Sequence, residues 1–329
     1  MRAPEFWHAP PGLAAGLLTP LGTVWDTAAR LRRALTRPYR APVPVVCVGN
    51  LVAGGSGKTP VVLSLARLAA RHMAAHVVTR GYGGRLAGPV RVDPTRHDAI
   101  AVGDEALLIA AVTPCWIARD RAAGIRAAAT AGAELVLLDD GFQNPSIAKN
   151  LSLVVVDAEY GFGNSRVMPA GPLREPIGAG LARADAIVLI GKDDAPDSVD
   201  RAGRPVLRAT LVPRHADRVA GARVVAFAGI GRPAKFFASL TASGAIVAAT
   251  QSFPDHHPFT EIQIARLRQQ ASDSDAILVT TAKDWVRLPS PLRWDIAVFK
   301  VDLRWHDECE VAQLLAAVLR HPAHDRTNG

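Results

Sequence analysis

The sequence predicts an α/β fold: a doubly wound, mostly parallel sheet with a second, smaller α/β lobe. Three observations predict it. Short, near-continuous apolar runs alternate with helical patterns from Val45 to Ile190, as buried parallel strands and their crossover helices do. The first run, Val45–Val48, ends in a glycine loop that opens a helix, the order in which such sheets build a ligand site. The rhythm weakens around 205–217 and starts again at Val224. The expected division is an arm at 1–40, a nucleotide-binding lobe at 41–217 and a smaller lobe at 218–329.

Composition bounds the reading. A chain of 329 residues, 49% apolar and 21% charged, can bury a sizeable core and excludes wholesale disorder. Its net charge is +8, and the first forty residues hold Arg2, Arg30, Arg32, Arg33, Arg37 and Arg40 against Glu5 and Asp26. Half of the excess thus sits in an eighth of the chain, which suggests a local anionic partner. Cys47, Cys115 and Cys309 are odd in number and far apart, so buried free thiols in a reducing compartment are expected, with no zinc site.

In the arm, Leu13, Leu17, Leu21, Val24, Trp25, Ala28, Leu31 and Leu35 form one apolar helix face, with arginines at its C-terminal end. Pro20, Asp26 and the arginines make it a poor spanning segment, and Glu5, Trp7 and three prolines before it fit no signal peptide. Two readings stand: a helix lying in an anionic leaflet's interface, or one packed on its own domain with a solvated basic edge. Nucleic acid is not expected, since the basic residues are not interleaved with stacking aromatics.

Val45–Pro60 (VVCVGNLVAGGSGKTP) reads as strand, glycine loop, Lys-Thr, helix, which is the phosphate-cradling P-loop. Backbone N–H groups of Val52, Ala53, Gly54, Gly55, Ser56 and Gly57 would hold the phosphates. Lys58 would reach the β/γ oxygens and Thr59 would offer its hydroxyl to Mg²⁺. The first Gly of G-x-x-x-x-G-K-[ST] falls on Val52, and the alternative is a glycine turn with a solvated Lys.

The next strand, Ala75–Arg80, ends in Arg80-Gly81-Tyr82-Gly83-Gly84, where Arg80 could meet an anion and Tyr82 a substrate; an ordinary turn with an exposed Arg is the simpler reading. Gly103-Asp104-Glu105 opens a helix, with Asp104 as its expected N-cap and Glu105 in the first turn. Cys115–Ala118 is a strand, and Arg119-Asp120-Arg121 leads into an alanine-rich helix. Glu134–Leu138 ends in Asp139-Asp140-Gly141-Phe142-Gln143, an apolar strand ending in Asp, as in a Walker B segment. Asp139 would hold Mg²⁺ directly or through water and Asp140 would assist. Leu151–Asp157 and Ala186–Ile190 are strands; between them lies a Gly/Pro-rich loop with Arg166 and Arg174 as candidate anion contacts.

Val206–Leu211 could bridge the lobes. The second set comprises strands at Val224–Phe227, Ala245–Ala249, Ile277–Thr281 and Ala297–Val301, with helices at Pro233–Thr241, after Thr260-Glu261 and at Cys309–Arg320. The tail HPAHDRTNG is expected to fray. Asp255-His256-His257 concentrates titratable groups: a proton-carrying site, or solvated loop histidines, with no third ligand at metal-binding spacing.

Taken in order from Gly49 to Leu288, the segments GNLVAGGSGKTP, TRGYGG, GDEA, DDGFQN, MPAGPLREP, FPDHHPF and TTAKDWVRL resemble the tetraacyldisaccharide 4′-kinase family. The resemblance implies a P-loop kinase-type fold that uses ATP and Mg²⁺ to phosphorylate the 4′-hydroxyl of an acylated glucosamine disaccharide 1-phosphate, giving lipid IVA for lipid A. It implies a peripheral enzyme on the anionic cytoplasmic face of the bacterial inner membrane, held by its N-terminal helix, with no nucleic acid and no obligate protein partner. A P-loop lacking the first Gly and followed by Pro60 belongs to that family's pattern. By the same resemblance Asp104 is the base, paired with His256 of the other lobe, and Lys58 stabilises the transferring phosphoryl group. Asn50, Arg80, Tyr82, Glu105, Arg119 and Gln143 become candidates for the lipid headgroup or its surroundings. Asn144 stands where the family commonly has His, which removes any acid–base role there.

Two other classes fit parts of the sequence. A membrane-bound P-loop switch would hydrolyse nucleotide without a lipid acceptor, and a kinase for a soluble sugar or nucleoside would not need the arm. No N-K-x-D segment for reading guanine is visible, which favours ATP.

Overall fold

The structure, a computed structural model, describes residues 4–7 and 9–320. The tail expected to fray, 321–329, lies outside the described residues. The arm is α1 (Leu13–Leu35). The first lobe follows as β1 (Val45–Gly49), α2 (Lys58–Ala69), β2 (Ala75–Thr79), β3 (Val90–Arg91), α3 (Ala99–Val102), α4 (Asp104–Ala110), β4 (Cys115–Ile117), α5 (Arg121–Thr130) and β5 (Leu135–Asp139). It continues through β6 (Leu151–Asp157), α6 (Ile177–Ala182), β7 (Ala186–Ile190) and α7 (Asp197–Asp200) into β8 (Val206–Arg214). The second lobe contains β9 (Arg223–Ala228), α8 (Pro233–Ala242), β10 (Ile246–Ser252), α9 (Glu261–Asp273), β11 (Ile277–Thr281), α10 (Ala282–Arg287) and β12 (Ile296–Trp305), and the chain then forms α11 (Glu308–Arg320).

Among the described residues the strands form one sheet in the order β10-β9-β11-β12-β8-β7-β6-β1-β5-β2-β4-β3. All pairs are parallel except β12 with β8 and β3 with β4. Every residue of β1, β2, β5, β6 and β7 is buried, which explains their unbroken apolar character: helices cover both faces. Each fully buried Leu or Val contributes roughly 1.5–3 kcal/mol. Exposed pairs such as Arg71–Glu308 contribute about 0–1 kcal/mol, so strand burial decides the fold.

The lobes meet in two strands that change partners midway. Residues 206–209 of β8 pair in parallel with β7, and 209–214 pair antiparallel with β12. Residues 296–299 of β12 pair with β11 before 300–305 meet β8. Leu303, Trp305, Val311, Leu315 and Val318 then join the core of the first lobe. The segment expected as the second lobe, 218–329, therefore gives its last helix back to the first, because α11 buries its apolar face there. Cys47 and Cys115 are buried as expected, whereas Cys309 is exposed on α11.

The arm departs from one of its two expected placements, the helix packed by its apolar face on its own domain. Ala15, Gly22 and Asp26 face the protein, while Leu13, Leu17, Leu21, Val24, Trp25, Leu31 and Leu35 are exposed. A Cβ on Gly22 would sit 2.8 Å from the Val167 carbonyl oxygen, so the small side of the helix allows its close approach. Trp25 Nε1 donates to the Arg174 carbonyl (3.3 Å) and Trp7 Nε1 to the Pro169 carbonyl (3.1 Å). The apolar face is thus not the face packed on the domain. No helix among the described residues is long and apolar enough to cross a membrane.

Candidate active site

β1 delivers the chain to the P-loop, where Gly54 and Gly57 adopt φ of 114° and 83°, the left-handed region open to glycine. Gly57 is the N-cap of α2. Val52 needs no such freedom. It is buried in a bridge with Leu173, and the Ala53 N–H donates to the Pro172 carbonyl (2.8 Å). An extended, buried position suits a β-branched residue, which accounts for the departure from the usual Gly.

Lys58 Nζ donates to Asn50 Oδ1 (3.0 Å) and lies 3.5 Å from Asp140 Oδ1. Burial lowers the Lys58 pKa despite Asp140. Burial would raise Asp140, but Lys58 and Arg174 outweigh it and hold its carboxyl low. Arg174 grips Asp140 with both Nη atoms, at 2.9 and 3.2 Å. Asp139 ends β5 and is 4% exposed. Thr79 Oγ1 donates to Asp139 Oδ2 (3.2 Å), while Oδ1 is a buried acceptor with no hydrogen-bond partner. Burial, and then Asp140, push its pKa up. An orphaned carboxylate oxygen beside a P-loop fits a divalent cation.

Gln143 and Asn50 brace the loop. Gln143 Nε2 donates to the Asn50 carbonyl (2.8 Å) and to Glu175 Oε1 (3.2 Å), and Asn50 Nδ2 donates to the Val52 carbonyl (2.7 Å). Glu175, fully buried, also takes Arg183 at 2.5 Å and Arg33 of the arm at 3.5 Å. Asn144 Oδ1 accepts from the Ser146 N–H and hydroxyl (2.9 and 2.8 Å), a local turn for which Asn is well suited.

A second set of groups gathers around Asp104. Gly103 has φ 87°, and a Cβ there would overlap the Tyr82 carbonyl. The turn after β2 and the start of α4 can therefore touch, bringing Tyr82 beside Asp104. Asp104 was expected to cap α4; instead Gly103 is the N-cap and Asp104 is the first helical residue. Its Oδ2 faces the other lobe. It accepts from Arg287 Nε at 2.6 Å and lies 3.1 Å from His256 Nδ1 and 4.0 Å from Lys283 Nζ. Burial opposes the charge, but the hydrogen bond from His256 and the side-chain interaction with the Glu105 carboxyl, with Lys283 and Arg287, hold Asp104 well below the usual carboxylate range. Burial pushes the neighbouring Glu105 up to about 7, although Lys283 Nζ lies 2.7 Å from its Oε1. Lys283 also approaches His256 Nε2 at 3.4 Å and Asp255 Oδ1 at 3.9 Å. Asp104, Glu105 and His256 are close enough to ligate one metal ion, but the Lys283 ammonium already supplies positive charge there. The Tyr82 ring is 5.2 Å from the His256 ring.

The P-loop and this cluster are close. A Cβ built on Gly231 of the second lobe would sit 3.6 Å from both Gly55 N and Asp255 Oδ2. Arg80 and Arg119 are exposed, and Thr59 is half-buried. Lys283, Arg287 and Arg121 were not singled out from the sequence. Arg121 is 5% exposed, donates from Nη1 to the Ala118 carbonyl (2.7 Å) and feels Asp139 and Asp140. The available signal was Ala282-Lys283-Asp284 directly after an apolar strand, with Lys283 and Arg287 spaced four apart on one helix face.

Comparison with known proteins agrees with this geometry. The family model for tetraacyldisaccharide-1-P 4′-kinase (LpxK) matches residues 14–320. The chain is similar to the tetraacyldisaccharide 4′-kinase of Rhodospirillum centenum, 57% identical over 327 residues and 97% of each chain. It is also 53% identical over 326 residues to that of Dinoroseobacter shibae, covering 96% of this chain and 97% of the other. Its fold is similar to the crystal structure of LpxK from Aquifex aeolicus in complex with ATP, with a TM-score of 0.75 and 26% identity, over 93% of this chain and all of that one.

Proposed function

The chain belongs to the tetraacyldisaccharide-1-P 4′-kinase family, and from that premise we propose how its residues transfer phosphate from ATP to the 4′-hydroxyl of an acylated glucosamine disaccharide 1-phosphate. The product of that transfer is the 4′-phosphorylated lipid A precursor. The observation that carries the reading is the contact between Asp104 and His256, 3.1 Å apart, made by two lobes that also meet over the P-loop.

A sugar hydroxyl attacks phosphorus only as it loses its proton. Asp104 was expected to take that proton, but a carboxylate ion-paired to Arg287 at 2.6 Å is a weak base. We assign the roles the other way round. Asp104 holds the His256 ring through Nδ1, and His256 accepts the hydroxyl proton at Nε2. Lys283, 3.4 Å from Nε2, would stand beside the phosphate oxygens as charge grows. Lys58 is released from Asp140 to the β/γ oxygens, with Arg174 retaining Asp140. Thr59 and Asp139 are the residues that would hold Mg²⁺, with Asp140 as their neighbour; the ion, when bound, neutralises phosphate charge. Exposed Arg80, Arg119 and Tyr82 lie where a phosphorylated headgroup can reach them, whereas Asn50 and Gln143 act through the P-loop.

We further propose that the exposed apolar face of α1 rests in an anionic membrane surface, the cytoplasmic leaflet of the inner membrane. The test of the whole reading is transfer of γ-labelled phosphate to a detergent-dispersed tetraacyl disaccharide 1-phosphate, with Lys58→Ala as control. Label on the lipid that the control abolishes supports it. ATP consumed without labelled lipid contradicts it.

A further inference from the structure

We propose that Asp157 is a positioning residue for phosphoryl transfer, acting as an anchor that holds the second lobe over the P-loop. This rests on the kinase reading above. Asp157 ends β6, the strand next to β1, and its side chain is 8% exposed. Oδ1 accepts from the N–H groups of Glu159 and Tyr160 (3.2 and 3.3 Å), which fixes the carboxylate's direction. Oδ2 takes two cations from the second lobe: Arg232 Nη1 and Lys235 Nζ, each at 3.0 Å. Lys235 Nζ also reaches Glu159 Oε2 at 3.2 Å, and the Arg232 guanidinium lies 4.1 Å from the centre of the Tyr160 ring.

These cations stand at the wrong end of their own helix. Arg232 is the N-cap of α8 and Lys235 lies in its first turn, where the helix dipole disfavours positive charge. Their anionic partner on the other lobe offsets that cost. Gly231, beside Arg232, is the residue that reaches Gly55 of the P-loop. The P-loop is therefore bracketed. On the β6 side the lobes are joined through Asp157, and towards β2 and β4 they are joined through Asp104 with His256, Lys283 and Arg287. The first clasp touches neither the proton-transfer pair nor the lipid side, yet it fixes the lobe that carries His256. Without it, fewer molecules at any moment have His256 seated on Asp104.

The test uses the full chain and lipid phosphorylation with saturating ATP. Asp157→Asn and Arg232→Gln are each expected to lower kcat about tenfold, the size of coupling seen between contacting groups. The double variant is expected to be no worse than either single one. Asp157→Glu, which keeps the charge, is expected to restore kcat. Arg232 is partly exposed, so its variant keeps the test open if Asp157→Asn folds poorly. Wild-type kcat in both variants, losses that multiply in the double variant, or a loss that Asp157→Glu does not restore would overturn the assignment. So would a raised KM for ATP in Arg232→Gln alongside unchanged kcat in Asp157→Asn, since Arg232 would then serve the nucleotide directly. An unmodified protein that fails to label lipid would instead contradict the kinase reading itself.

Discussion

Arg287 Nε lies 2.6 Å from Asp104 Oδ2, and the two residues come from different lobes. Arg287 is itself held, donating through Nη1 to the Gly229 carbonyl (2.7 Å) and to Asp284 Oδ1 (2.9 Å). Replacing it by Ala leaves a nearly fully buried carboxylate without its principal counter-charge. Removing one partner of a buried pair costs about 3–5 kcal/mol. Arg287→Ala is therefore expected to melt at lower temperature and to lose kcat, and Arg287→Lys to recover charge but not the fork. Thermal melts and lipid phosphorylation by both variants check this.

His256→Ala is expected to lower kcat by roughly 10²–10⁴, the usual worth of a positioned general base. The melting temperature separates this from loss of packing, since a folded His256→Ala variant should melt near wild type. Lipid phosphorylation within about tenfold of wild type in that folded variant would return the base role to another group.

Asp139 and Asp140 should differ. Asp139→Asn removes charge at the orphaned oxygen, so activity is expected to need a much higher Mg²⁺ concentration. Asp140→Asn instead frees Lys58 and Arg174, and should change ATP affinity more than Mg²⁺ dependence. Mg²⁺ and ATP titrations of the two variants distinguish them.

Burial raises Glu105 from its ordinary value of 4.5 to about 7. Between those pH values the folded state holds a proton that the unfolded chain has released, so stability conferred at this site falls as pH rises through that window. Glu105→Gln cannot titrate. Its melting temperature relative to wild type is expected to rise between pH 4.5 and 7 and to level off above. A constant difference across this range would assign Glu105 no such proton.

Leu17→Glu with Leu21→Glu changes only exposed positions of α1 (80% and 55% exposed), so each change should leave the unfolding free energy within about 0.5 kcal/mol of wild type. Each Leu withdrawn from a lipid interface forfeits about 1.5–3 kcal/mol. Flotation with anionic vesicles is expected to fall more than a hundredfold. Undiminished flotation would show that another surface binds the bilayer.

The P-loop, the Asp139 strand end and most core strands were legible because each is local: a run of consecutive residues carries its own pattern. Ile277–Thr281 and Leu151–Asp157 fall where their apolar runs fall. What escaped was non-local. α10 is six residues long and has no apolar period to announce it, so the four-residue spacing of Lys283 and Arg287 did not by itself mark a helix face. Asp104 read as a cap because an Asp before a helix usually is one; the cations that redefine it lie about 180 residues away. The arm's periodicity gave its apolar face but not the side that docks, which Gly22 decides by its small size.

β8 and β12 each pair with one lobe along half their length and with one another along the rest. A two-stranded antiparallel ribbon resists stretching and shear, since its hydrogen bonds lie across it, but yields readily to twist. With α11 fastened beyond it to the first lobe, both ends of the hinge are clamped. The second lobe is thus moored to the first at three places, by this ribbon and by two side-chain clasps, Asp104 with His256 and Asp157 with Arg232, which stand on opposite sides of the nucleotide cleft.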